Sequence, residues 1–159
     1  MRIVGTFAFM DLRLALMPAV AEHKRRHDLP VEDPTQENAI VQHAVVQAQD
    51  TGLDSVAVQE LFRVQIELAK QVQRATLQGE VVIPAWAHGL DLTADLRPVL
   101  VTLGNRIVRE LTSVLPSLED RDLTLRVAEE EITTAGIPEA AKRQLGAALW
   151  EIRMQAGHF

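Results

Sequence analysis

Residues 3–27, IVGTFAFMDLRLALMPAVAEHKRRH, decide the fold class. Ile3, Val4, Phe7, Met10, Leu14, Met17 and Ala21 recur at steps of three and four. That spacing lays one apolar stripe along a helix, whereas a half-buried strand alternates every second residue. Arg13 and Lys24 stand on the same helix, eleven residues apart. Eleven residues make three turns plus only about 20°. Two cations therefore leave an otherwise apolar helix in nearly the same direction, as in a clamp for a small, doubly charged anion. Pro18 lies between them and predicts a kink that loosens the alignment.

The helical period continues outward. Leu29-Pro30 and Asp33-Pro34 end the first helix, with Asp33 as N-cap and Pro34 at the first position of the next. A second helix runs to about Asp50, with Ile40, Ala44, Val45 and Ala48 inward. Thr51-Gly52 breaks the chain, and Asp54 caps a third helix reaching about Leu77. Its inner side is Val58, Leu61, Phe62, Ala69, Val72 and Thr76. Residues 79–92, GEVVIPAWAHGLDL, read as a connector. Thr93 or Asp95 caps a fourth helix ending near Leu115-Pro116, and Ser117 with Asp120 forms a capping box for a fifth. Gly136 stops that helix and Pro138 starts a sixth. The expected architecture is an all-α bundle of about six helices in one domain, residues 1–159, with Trp150 and Met154 packing over it.

Composition narrows the function. With 159 residues, 47% of them hydrophobic, the chain can build a core of its own. A net charge of −6 and the absence of Tyr argue against nucleic acid as a partner. No cysteine is present, which removes disulfides, thiol nucleophiles and thiolate metal sites. No apolar run reads as a membrane span, and MRIVGTFAFM is too short for a complete signal peptide. The expectation is a cytosolic protein if Met1 is the true start, or an exported one whose signal lies outside this sequence.

Polar residues on apolar faces are the candidates for chemistry. Gln65, Ala69 and Gln73 are spaced four apart and share a side of the third helix, beside its buried stripe. An amide there either pairs with neighbouring helices or points at a ligand in the bundle. Arg97 opens the fourth helix, where the helix dipole does not favour a cation. It is an exposed first-turn residue or a two-pronged carboxylate ligand. The histidines stand at 23, 27, 43, 88 and 158. His23 and His27 have metal-pair spacing but lack a third ligand, so no metal site is expected. Glu129-Glu130-Glu131 reads as a solvated face. No phosphate-binding loop, dinucleotide fingerprint or serine-nucleophile motif occurs.

Four strings in order, RLALMPAVAEHK, LPVEDPTQE, GLDSVAVQELFRVQIELAKQVQ and DLRPVL, resemble the all-α, AroQ-type chorismate mutases. The likeness is strongest to the gamma subclass, often exported to the periplasm or beyond, and it covers about Arg13 to Arg109. It implies an isomerase of aromatic amino acid biosynthesis, in the shikimate pathway, that needs no cofactor. It also implies a small dicarboxylate substrate and a homodimer. Arg13 would bind one substrate carboxylate. Lys24 would meet the other carboxylate region and the ether oxygen, with Gln73 facing that oxygen from the opposite side. Asp33 would accept a hydrogen bond from a substrate hydroxyl or order the loop beside it, and Arg97 would bind a carboxylate. Two positions depart from the family pattern. Gln36 stands where an Arg is usual, and Ala69 where Thr, Ser or Asn is frequent. Losing a charge-assisted contact weakens binding by ~1–3 kcal/mol. The departures keep two alternatives open: a lyase that removes pyruvate from isochorismate, and a non-catalytic relative that binds a similar metabolite or a protein.

Overall fold

The computed structural model describes residues 2–156 and is built almost wholly of helices. In chain order they are α1 (Arg2–Ala15), α2 (Met17–Arg26), α3 (Pro34–Asp50), α4 (Ser55–Leu77), α5 (Arg97–Val114), α6 (Arg121–Glu131) and α7 (Glu139–Trp150). A short 3-10 turn at Ala85–Ala87 and a wide π-type turn at Leu92–Leu96 lie between α4 and α5. The expected first helix is thus two. Pro18 has no N–H to give the Leu14 carbonyl, and Leu16 bridges the break by donating to the Arg13 carbonyl at 3.2 Å. This break is the main departure from the sequence reading.

Aspartates begin the long helices. Asp33 accepts from the Gln36 amide, Asp54 from Val56 and Asp120 from Leu123. Neither Thr93 nor Asp95 is the cap before α5. Asp91 accepts from the Ala94 amide, and Asp95 returns the favour to the Asp91 amide, both at 2.7 Å. The sequence reading missed this because the reciprocal pair begins two residues earlier, inside the connector. Ser117 likewise yields to Asp120 alone.

The stripe Ile3, Phe7, Met10, Leu14, Met17 is buried and joins the core with Val58, Leu61, Phe62, Leu68 and Val72 of α4 and Ile107, Val108 and Leu111 of α5. α1 packs on α5 and α6, α2 on α4, and α3 on α4 and α5. In α3 the buried residues are Val41, Ala44 and Ala48, with Ile40 and Val45 half-buried. Ala69 is also only half-buried. α7 lies across α4 and α6. Trp150 is half-buried and Met154 is partly exposed, so their cover over the bundle is thinner than expected. At the α6–α7 crossing a Cβ on Gly146 would stand 3.0 Å from the Leu125 Cα, so only glycine fits without a shift. Asp11 ties α1 to the loop before α7 by accepting from the amides and hydroxyls of Thr133 and Thr134.

Contrary to the sequence reading, Arg2–Arg26 taken as one apolar stretch is long enough to cross a membrane by length and composition. In this fold more than half of its most apolar window is buried inside the bundle. Its apolar face is matched by α4, α5 and α6, as in a soluble core helix.

Candidate active site

The kink after Ala15 turns α2 so that Arg13 and Lys24 both line one cavity, of about 290 Å³. All seven residues given a site position by the family resemblance line it: Arg13, Lys24, Asp33, Gln36, Ala69, Gln73 and Arg97, and Gln65 lines it too. The walls include α1, α2, α4 and α5. α3 forms a further wall, through Gln36, Ile40, Ala44 and Gln47.

Each cation reaches the cavity for a local reason. Arg13 ends α1 and is held over the Phe62 ring, its Cζ 5.8 Å from the centroid. Its Nη1 donates to the Gln65 side-chain carbonyl at 3.4 Å, and its buried Nε has no partner. Burial lowers this guanidinium to about 10, which leaves it charged at neutral pH. Lys24 is 7% exposed, and its ammonium donates to the Val31 carbonyl at 2.8 Å. Burial pushes its pKa down, the carboxylates of Asp33 and Glu37 pull it up, and Arg97 adds to the lowering. Arg97 sits on the first turn of α5, its Nη2 3.7 Å from the Asp33 Oδ2. The turn that carries it is pinned from α2, because the Leu92 amide donates to His23 Nδ1 at 3.1 Å. That bond gives His23 a structural task. His27 stacks beside it, ring centroids 4.2 Å apart. His158 lies outside the described residues.

The polar groups of α4 divide. Gln65 turns inward to hold Arg13 and is 4% exposed. Gln73 is 5% exposed, its amide nitrogen touching the Met17 sulfur at 3.5 Å and its carbonyl oxygen unpartnered. A buried amide with weak or absent partners carries a desolvation cost that a polar ligand would remove. Ala69 leaves open wall between them.

Several lining residues escaped the sequence reading. Glu37 extends the Asp33 cap, its Oε2 accepting from the Asp33 amide at 2.8 Å. It lies one residue beyond the capping-box position, which Gln36 occupies, so that pattern did not mark it. Lys70 lines the cavity, yet its ammonium contacts the carboxylates of Glu32, Glu37 and Glu67 at 2.9, 3.0 and 2.9 Å. Those contacts outweigh burial and raise its pKa. At the far end Gln47 donates to the Asn105 carbonyl, and His43 meets the Asn105 side chain at 2.7 Å. Four cations and two carboxylates thus line the space, Lys70 being neutralised by its own partners. The arrangement suits a compact dianion, held by fixed donors rather than attacked by a nucleophile.

Comparison with known proteins agrees with that chemistry. The family profile for chorismate mutase type II matches residues 8–74. The secreted chorismate mutase of Yersinia pestis is 35% identical over 122 residues, covering 74% of this chain and 63% of that protein. The aligned part therefore spans just under two thirds of that relative's length. A monofunctional chorismate mutase of Enterobacter agglomerans is 25% identical over 154 residues, covering 92% of this chain and 81% of that protein. The crystal structure of the secreted Yersinia pestis enzyme shares the fold, with a TM-score of 0.81 at 23% identity over 94% of this chain and 97% of that one. Over residues 8–74 the chain is similar to the chorismate mutase type II family.

Proposed function

We propose that this chain rearranges chorismate to prephenate in the cavity between α1/α2, α3, α4 and α5. The observation that carries the reading is the convergence of Arg13, Lys24, Arg97 and the underpartnered Gln73 on one enclosed space. Chorismate is a flexible dianion whose two reacting carbons must be brought together. In the concerted step a C–C bond forms as the ether C–O bond breaks, and no proton is transferred. Arg13 and Arg97 fix the carboxylates, and such orientation supplies several kcal/mol of the barrier reduction. Negative charge grows on the ether oxygen as the bond breaks. Lys24 and the Gln73 amide nitrogen meet it from opposite sides, already in place. Asp33 accepts from the substrate hydroxyl or orders the loop beside it. Gln36 and Ala69 border the substrate without supplying the usual cation and hydroxyl-type contact.

The chain acts as a single domain without a cofactor, in the shikimate pathway. We further propose a homodimer and export to the periplasm or beyond, the latter supported by the secreted Yersinia pestis relative. The direct test mixes purified protein with chorismate and follows its loss and the appearance of prephenate. Absence of turnover at any substrate concentration rejects the reading. Gln36 on the cavity wall favours a second reading, pyruvate release from isochorismate. Product analysis with both substrates separates the two. Calorimetric binding of chorismate without turnover marks a non-catalytic relative.

A further inference from the structure

The segment between α2 and α3 covers part of the cavity, yet Val31 is its only half-buried apolar residue. Residues 25–30 are exposed, Leu29 is 47% exposed, and Asp28 takes the left-handed backbone region at φ 54°. Polar tethers hold most of its far half. The Lys24 ammonium grips the Val31 carbonyl, Arg97 faces Asp33, and Glu32 meets both Lys70 and Arg74. Two of these tethers, Lys24 and Arg97, are cations assigned to the ligand. Lys70 is different. Its three N–H donors match three carboxylates from three places: Glu32 of the loop, Glu37 in the first turn of α3, and Glu67 one turn earlier on α4. It has no donor to spare for a substrate.

We infer that Lys70 is a positioning residue that holds the α2–α3 loop closed over the cavity, fixing the Val31 carbonyl that aims Lys24 and the Asp33 carboxylate that faces Arg97. An exposed ion pair does little of this kind, because water screens it and two side chains lose freedom. Lys70 is only 8% exposed, and one buried cation organises all three partners. Glu37 passes the restraint on by accepting from the Asp33 amide. Without the clamp the loop opens, and each substrate must first close it. A closed fraction of one tenth raises the apparent dissociation constant about tenfold and leaves the bound complex unchanged.

The catalytic arm of the test rests on the mutase reading, and the exchange arm does not. In Lys70→Met, backbone amides of residues 28–33 exchange with solvent at least tenfold faster, while those of α7 keep their rates. KM for chorismate rises about tenfold with kcat within twofold. Lys70→Arg restores most of both. Glu32→Gln, a change at a half-exposed side chain, moves both readouts the same way even if Lys70→Met folds poorly. Adding Glu32→Gln to Lys70→Met changes little more, because the two act through one contact. Unchanged loop exchange in both variants overturns the inference. A fall in kcat at constant KM also overturns it, since Lys70 would then touch the reacting atoms. If the parent protein lacks mutase activity, the exchange measurement still decides the loop question.

Discussion

The guanidinium of Arg97 stands 3.7 Å from the carboxylate of Asp33, so the first turn of α5 meets the N-cap of α3 at the cavity wall. Asp33 has two duties: its Oδ1 caps α3 through the Gln36 amide, and its Oδ2 faces Arg97. Asparagine caps a helix as well as aspartate does. Asp33→Asn should keep the melting temperature within a few degrees while altering KM. Asp33→Ala should also lose ~1 kcal/mol of stability through the missing cap. Equal melting temperatures for the two variants would contradict this division.

Lys24 is the residue whose loss should cost most. Removing one preorganised donor to developing negative charge typically lowers kcat by roughly 10²–10³. Lys24→Ala should reach at least that loss while circular dichroism shows the same helix content. Turnover equal to the parent's would reject the mechanism.

Two groups set the alkaline limb of the pH profile. Burial brings Arg13 to about 10 and also lowers Lys24. Both are bases whose useful form is protonated, so their contribution is present at neutral pH and is lost as pH rises through the lowered values. The profile of kcat/KM should fall by pH 10. Position 73 adds no acid limb, because an amide does not titrate. Gln73→Glu should instead add a limb that falls as pH rises: an ionised carboxylate cannot donate to the ether oxygen, so activity should be present only where the carboxyl is protonated, a range that burial at this position moves above the ordinary carboxylate value. A flat profile for that variant would place Gln73 away from the reacting oxygen.

Gln36→Arg tests the most evident departure from the family pattern. A charge-assisted contact to a substrate carboxylate is worth ~1–3 kcal/mol, or roughly 5–150-fold in kcat/KM. The variant should gain within that range on chorismate. No gain, or a gain on isochorismate alone, would mean that position 36 serves a different substrate.

Gly146 supports the fold away from the site. A side chain there meets the Leu125 backbone at 3.0 Å and the Ala128 Cβ at 3.1 Å. Gly146→Leu should destabilise the chain by at least the ~1–3 kcal/mol of an overpacked contact. Catalytic constants per folded molecule should not change. Thermal melting with active-site titration measures both.

Periodicity made most of the fold legible. The stripe from Ile3 to Met17 and the inner side of α4 are buried largely as their spacing requires, because a 3.6-residue repeat leaves a helix one side to hide. Proline and aspartate marked most helix ends for equally local reasons. The kink at Leu16 was visible as Pro18, but not its size, which depends on what α2 finds to pack against. Glu37 and Lys70 show the limit on the site side. Each reads as an ordinary charged helix residue until the loop, the start of α3 and the second half of α4 are brought together.

The amino-acid order alone determined which residues form helices, where most of them start and stop, and which polar side chains lie beside apolar stripes. These are local matters of backbone geometry, capping and period. Only the tertiary structure decided that Arg13, Lys24, Gln73 and Arg97 share one cavity and that Lys70 spends its charge on three carboxylates. Both outcomes come from contacts between distant segments, where burial and neighbouring charge, rather than residue type, set whether a cation is available to a ligand.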